Sequence, residues 1–399
     1  MVTERTLIID FGVAGNSPDY LGDGWARAES GFTWAVDTQS QIMLPRLADA
    51  DEYLLTLDVI PFVHPPELPA QRLIVSINDT VVGSTPLARP TLLGYRIPGA
   101  LIKGGAPVTI TLRHPDAARP SEFSATADDR LLAFSLPEAR LYRSTSGVGA
   151  ARCLVPVGTT ISSTGGGFGP RPPMGLAQWV QHQTGLDMSR LAMSFESLGE
   201  NCEFGLVQRR CDAEPLGLLR FSSTFMRNLI RGLDAGFEGL AEGDDVDVRL
   251  EGAVPREYMI YEKKFGLLYH TFIYEGEHSI WLMREQESAR LKYLRREFTE
   301  DLKAGDKIYV YKRVGPVADE EILPLLLALR QHGGNTLLWV ALADKDHPVG
   351  SVEVAMPGLL KGYVDRFAPE ENAHDLSFDA WVRVCANAYL LSRLSKGGA

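Results

Sequence analysis

The feature that most constrains this fold is a change of hydrophobic period partway along the chain. From Thr6 to Arg143 apolar residues recur in period two, in the runs TLIIDFG, GFTWAVD, SQIMLP, EYLLTLDVIPF, QRLIVSIND, TVVGSTP, PVTITLRHP and LAFSLPEARLYR. Such alternation suits strands with one buried face, and their Val, Ile, Thr and Phe favour pleated backbone. Turn residues separate the runs, with Asn78-Asp79 forming a hairpin turn. No long helical period intervenes. Residues 1–143 are therefore expected to form an all-β sandwich, jelly-roll-like, of about eight strands.

Beyond Arg143 the pattern changes. STSGVGA and ISSTGGGFGPRPPMG are rich in Gly, Ser, Thr and Pro, so residues 144–188 read as a linker, with one short helix at LAQWVQHQTG. GGGFG lacks the Gly-Lys-Ser/Thr of a phosphate loop. From residue 189 helical and strand periods mix. A buried strand is predicted over 191–198, a helix over CEFGLVQRR, and a second helix in FSSTFMRNLIRGL with Phe225, Leu229 and Leu233 on its apolar face. REYMIYE and FGLLYHTFIY alternate as a strand pair around Lys263-Lys264. Leu291, Leu294, Phe298 and Leu302 mark one face of a helix ending near Gly305. KIYVYKR, a helix over 319–332 and NTLLWVALAD have the order of a parallel βαβ unit. Pro324 inside that helix predicts a late start or a kink. FDAWVRVCANAYLLSRL closes the chain as an amphipathic helix. Residues 189–399 thus read as an α/β domain with a partly parallel central sheet.

At 399 residues the chain exceeds one ordinary core, in keeping with two domains. It carries 40 basic against 51 acidic residues, net −11, without a Lys/Arg run longer than two, which argues against nucleic acid or an acidic membrane as partner. No stretch approaches the ~18 apolar residues of a membrane span, and MVTERTLIIDFG lacks a signal-peptide core, so a cytoplasmic protein is expected. Four cysteines without C-x-x-C spacing exclude a zinc ribbon and point to free thiols.

Chemistry concentrates around Cys202. A thiol after a strand and at a helix start sits near unpaired N–H groups and the positive end of the helix dipole, and both favour thiolate. His270, fixed in a strand-like run, is the best base for it, with Asp344 as orienter. Asn201 and the N–H groups of 202–203 form a candidate oxyanion hole. Glu203, Arg220 and Arg313 line the site, although Arg209, Arg210, Arg220 and Glu214 equally suit ion pairs bracing the turn. Cys202, Arg313 and Asp344 all follow predicted parallel strands, where ligands of open sheets collect.

SLGENCEFG, followed by LGLLRFSSTF, KKFGLLYHTF, REQESARLKYLRREF and KIYVYKR, resembles a bacterial papain-like cysteine peptidase family over roughly residues 190–345. The resemblance implies Cys202 as nucleophile and His270 as base, hence hydrolysis or acyl transfer through a Cys202 thioester, with a peptide or glycan substrate. Two departures stand out. SSTFM (Ser222 to Met226) replaces the family's PFDW, and His270-Thr271 replaces its His-Asp, which shifts the orienting role to Asp344.

In the first domain, GWARAESGFTWAVD and the IVSIND–TVVGS pair resemble β-sandwiches that accompany bacterial enzymes of surface-polysaccharide metabolism. Trp25, Phe32, Trp34 and Glu29 would then form a sugar platform, or else the aromatics fill the core. A different class follows from Asp344-Lys345-Asp346, which resembles the Asp-x-Asp motif of sugar-nucleotide glycosyltransferases, where Asp344 and Asp346 would hold Mg²⁺ or Mn²⁺ against a diphosphate. A third is a non-catalytic glycan-binding or scaffold protein.

Overall fold

The computed structural model describes residues 7–48, 50, 52–102, 107–144, 159–161, 175–313, 317–369 and 372–395. Its contacts divide into two compact units, Met1–Val148 with Val317–Pro324, and Gly149–Pro316 with Leu325–Ala399. The GGGFG segment, Cys153 and most of the predicted linker lie outside the described residues.

In the first unit the strands are β1 (Leu7–Asp10), β2 (Thr33–Val36), β3 (Gln39–Leu44), β4 (Glu52–Pro61), β5 (Gln71–Ile77), β6 (Thr80–Leu87), β7 (Thr91–Pro98), β8 (Val108–Arg113) and β9 (Leu132–Ser144). They form two antiparallel sheets. One runs β1-β9-β4-β7 with β2 also on β9, and the other runs β3-β8-β5-β6. Leu55, Leu57 and Val59 from the first sheet share one core with Leu73, Val75, Ile110 and Leu112 from the second. That makes a β-sandwich, each fully buried aliphatic side chain contributing about 1.5–3 kcal/mol. Asn78 and Asp79 take φ of 44° and 67°, the two-residue turn that their types favour. Sequence reasoning missed β7. Its run, TLLGYRIP, is broken by Gly94 and flanked by Pro90 and Pro98, tolerable because β7 is an edge strand.

The second unit contains β10 (Thr160–Ile161), α1 (Leu176–Thr184), α2 (Met188–Met193), β11 (Phe195–Ser197), α3 (Glu203–Arg210), β12 (Ser222–Ser223), α4 (Met226–Asp234), β13 (Val246–Glu251), β14 (Glu257–Glu262), β15 (Leu267–Tyr274), α5 (Ile280–Ala304) and β16 (Ile308–Lys312). Then follow α6 (Asp319–Arg330), which belongs to the first unit as far as Pro324 and to the second from Leu325, β17 (Thr336–Leu342), β18 (Val352–Met356), β19 (Leu359–Val364) and α7 (Phe378–Ser395). A six-stranded sheet has the order β10-β18-β19-β17-β16-β11. Its β11, β16, β17 and β19 are parallel, whereas β18 pairs antiparallel with both β19 and β10. A separate antiparallel sheet has the order β12-β15-β14-β13.

Several expectations need correction. The predicted strand over 191–198 shrinks to Phe195–Ser197, because the Asp187 side chain caps α2 by accepting the Arg190 N–H at 2.7 Å and the helix runs on through Met193. Phe225 precedes α4 and is 81% exposed, so the apolar face is Met226, Leu229, Ile230 and Leu233. α6 starts at Asp319 and carries Pro324 in its interior. β13 and the β18–β19 pair were not anticipated.

Candidate functional site

β11 ends against β16, where the Leu198 N–H donates to Val310 O at 2.9 Å. The chain then turns through Gly199 and Glu200, with φ of 85° and 76°. A Cβ on Gly199 would lie 3.2 Å from Ser222 O, so the position combines left-handed backbone with close approach. Cys202 follows as the half-buried residue at the start of α3, its carbonyl accepting the Leu206 N–H. The Asn201 side-chain oxygen accepts the Glu203 N–H at 3.0 Å. One of the proposed oxyanion donors is therefore already engaged, and Asn201 is what engages it.

The first residue of α3 supplies the strongest feature of this region. Glu203 is fully buried, with Oε2 2.8 Å from Nζ of Lys312, the equally buried last residue of β16. The Trp381 indole N–H on α7 donates to Glu203 Oε1 at 2.8 Å, and Lys312 Nζ lies 5.0 Å from the centre of the Phe367 ring. Three elements are joined by one carboxylate. Burial pushes the Cys202 thiol above its ordinary value, outweighing the pull of its own N–H and of Lys312, while Glu203 adds to the rise. The helix start was expected to do the opposite. Desolvation wins because α3 is short and its first N–H, that of Glu203, is already taken by Asn201.

Arg220 is buried and braces the far end of α3 and the segment that follows it. It donates to Gly205 O at 3.2 Å and Ala213 O at 2.9 Å and pairs with Glu214 at 2.5 Å, which also holds Arg209 at 2.9 Å. A Cβ on Gly205 would fall 2.6 Å from Arg220 O, so α3 can approach the backbone at Arg220 only with glycine there. Arg313 follows β16, half-buried at the carboxyl end of the parallel strands.

The predicted base and orienter each have a carboxylate or histidine partner of their own. His270 is exposed on β15, its Nδ1 3.0 Å from Glu257 Oε2 on β14. Its neighbour Tyr269 points the opposite way and donates to Glu287 of α5 at 2.7 Å. Asp344 accepts the N–H groups of Asp346 and His347 and sits 2.8 Å from His347 Nδ1, bonds that hold its carboxyl below the usual range. Each histidine thus has its own carboxylate, Glu257 for His270 and Asp344 for His347. The charged groups acting on Cys202 are Lys312 and Glu203. Sequence reasoning missed Glu257, Lys312, Trp381 and the Asp344–His347 pair, though D-x-x-H after an apolar strand was its visible signal. Among the described residues, no group of three or more His, Cys, Asp or Glu side chains is arranged to hold a metal ion. No described helix is long and apolar enough to cross a membrane.

In the first unit the two candidate tryptophans differ. The Trp25 indole N–H donates to Gln41 O at 2.7 Å and its ring packs 5.2 Å from Phe11 against the core, so it fills the sandwich. Trp34, on β2, is opposite Ser135 of β9, whose partner on β4 is Ile60. Residues directly opposite share a face, so Trp34 and Ile60 flank Ser135 away from the core-facing Ala35. Phe32 meets Trp34 edge-on at 5.8 Å, both half-exposed. Nearby on the chain, His64 stacks on Phe123 at 5.1 Å and Phe123 meets Phe62 at 6.0 Å. Arg130 is paired with Asp128 at 2.7 Å and lies 3.6 Å from Glu29.

No family model matches the chain, and no curated protein matches it. Among solved structures it is similar to the C-terminal CBM6 of LamC from Zobellia galactanivorans, with 12% identity over 35% of this chain and 100% of that one, TM-score 0.23. It is also similar to a family 35 carbohydrate binding module from Clostridium thermocellum, with 9% identity over 35% and 99%, TM-score 0.21. A third likeness is to the CBM36 module solved with calcium and xylotriose, with 11% identity over 34% and 98%, TM-score 0.19. TM-scores this low carry no function across. The papain-like resemblance of the second unit has no counterpart among these structures.

Proposed function

We propose that this chain is a carbohydrate-binding protein whose first unit holds a polysaccharide chain on the outward face of its five-stranded sheet. The observation that carries the proposal is the Phe32–Trp34 pair, which stands half-exposed on that face while Trp25 takes over the core-filling role. Aromatic faces stack on the apolar faces of sugar rings, and the neighbouring ions are already paired with one another, which suits a neutral hydroxylated ligand. A Cys202 thioester mechanism is less well supported, because the thiol is raised and Glu257 holds His270. A transferase built on Asp344 and Asp346 is less well supported, because Asp344 Oδ1 already caps its own turn and holds His347.

The test is affinity electrophoresis of the full chain in gels containing neutral polysaccharides (a xylan, a β-1,3-glucan, a mannan). Wild-type retardation that Trp34→Ala weakens about tenfold, and Trp25→Phe leaves unchanged, is the expected result. Equal retardation of wild type and Trp34→Ala overturns the assignment.

A further inference from the structure

The antiparallel sheet of the second unit has one face against α5 and one facing solvent. Tyr269 reaches Glu287 from the covered side, so the alternate residues face outward. Register builds that outer face in rows, Asp247–Tyr261–Leu268, then Arg249–Met259–His270, then Glu251–Glu257–Tyr274. Solvent-facing rows of an antiparallel sheet are ordinarily polar. Here they include the half-buried Leu268 and Tyr261 around a buried Met259, and at one corner Tyr274 (39% exposed) and Phe272 (65% exposed).

Phe272 is held out by a bulge. Between the pairs Met259↔His270 and Glu257↔Tyr274, β14 advances two residues (259 − 257) and β15 four (274 − 270). The extra residues put Phe272 in left-handed backbone, φ 58°, which bulky side chains rarely adopt. One carboxylate fixes the arrangement. Glu257 Oε1 accepts the Phe272 N–H at 2.7 Å while Oε2 lies 3.0 Å from His270 Nδ1, and the His270 ring stacks on Phe272 at 5.9 Å and 26°. Thr271 Oγ1 donates to Tyr258 O at 2.7 Å, pinning the bulge from its other side.

Charge identifies the ligand class. Arg249 pairs with Asp247 at 2.9 Å, Tyr261 donates to Glu251 at 2.7 Å, Glu257 is taken by His270, and Arg256 pairs with Glu275 at 2.5 Å. Both arginines are paired within the face, and Glu251 and Glu257, held by Tyr261 and His270, leave it net acidic, so it offers an incoming molecule rings and hydrogen-bonding atoms and disfavours an anionic one. We propose that this face is a second carbohydrate platform, taking an uncharged glycan whose rings stack on Phe272 and Tyr274. With Glu257 accepting from Nδ1, His270 presents Nε2 as an acceptor for sugar hydroxyls. The platform stands on different residues from the Phe32–Trp34 face and does not need that face to bind.

The experiment titrates the full chain with xylohexaose, laminarihexaose and mannohexaose, and with polygalacturonate as acidic comparison, following heat of binding. Phe272→Gly removes the ring but keeps a residue that accepts positive φ, so the bulge survives; Trp34→Ala serves as the second variant. The expected result is about a tenfold loss with Phe272→Gly for a neutral hexaose that Trp34→Ala still binds. Loss confined to Trp34→Ala overturns this platform and leaves the first unit's role standing. Loss confined to Phe272→Gly supports the platform and overturns the first unit's role. Preference for polygalacturonate overturns the uncharged class, and wild-type binding to none of the four probes overturns the platform.

Discussion

Among the residues of the second unit other than glycine in left-handed backbone, Glu200 and Phe272 are built in opposite ways. At Glu200 (φ 76°) the turn leads inward, to a half-buried thiol and a fully buried Glu203–Lys312–Trp381 network. At Phe272 (φ 58°) the bulge leads outward, to a ring 65% exposed and held by hydrogen bonds behind it. Left-handed backbone serves packing at the first and presentation at the second. The difference is one of what surrounds the strain. A conspicuous motif, SLGENC, turns out to organise the junction of β11, α3, β16 and α7, whereas the unremarkable YHTF carries an aromatic into solvent.

The sharpest way to break that contrast is to cut the buried pair. Lys312→Met leaves Glu203 buried without its cation and is expected to lower unfolding free energy by about 3–5 kcal/mol in urea denaturation. The double variant Lys312→Met with Glu203→Leu removes both charges and should recover most of the loss. If the single variant costs under about 1 kcal/mol, the network does not organise the junction. Trp381→Phe deletes one donor to the same carboxylate and should cost about 1.5–3 kcal/mol, read from the same denaturation curves.

Beneath the turn, Glu196 sharpens the inward half of the comparison. Burial raises its carboxyl from 4.5 to about 7, against the pull of Lys307 3.1 Å away. A raised folded value means that the folded chain holds this proton more tightly than the unfolded one. Its contribution is therefore fully present below about 4.5 and is lost as pH rises towards 7. Glu196→Gln should flatten the fall in stability over that window, seen as thermal midpoints measured from pH 4.5 to 7.5. An unchanged slope means that Glu196 titrates normally.

Cys202 gives a third measure, of rate rather than stability. With its thiol above the ordinary 9.0, less than about 1% is thiolate at pH 7. Iodoacetamide labelling, followed by peptide mass spectrometry, should be slow at pH 7 and still climbing at pH 9. Labelling that plateaus near pH 6 would restore the activated nucleophile.

How much of this was legible depends on what each residue had to reveal. The sandwich strands showed themselves because burial on one face imposes period two, and Asn78-Asp79 showed its turn because those side chains tolerate positive φ. The βαβ order of β16, α6 and β17 was equally plain. β7 was hidden because Gly94 and two prolines mimic a loop. The Cys202 region was located correctly but misjudged electrostatically, since sequence reveals the helix start and not the burial that outweighs it. Glu257 could not have been paired with His270 from spacing alone, because the bulge makes their 13-residue separation in the chain a cross-strand contact. Trp25 and Trp34 looked alike until the indole donor of one was found on Gln41 O.

The smallest expected effect tests the contrast most directly. Glycine at an αL position relieves a bulky side chain of roughly 1 kcal/mol of backbone strain. Phe272→Gly should therefore raise stability by up to about 1 kcal/mol, since the exposed ring buries little and only its contact with His270 is lost. Phe272→Ala keeps the strain without the ring and should fall about 1 kcal/mol below Phe272→Gly in parallel urea titrations. If Phe272→Ala and Phe272→Gly unfold at the same urea concentration, residue 272 is not held left-handed in solution. The outward bulge would then relax, and the two strained turns would differ only in depth.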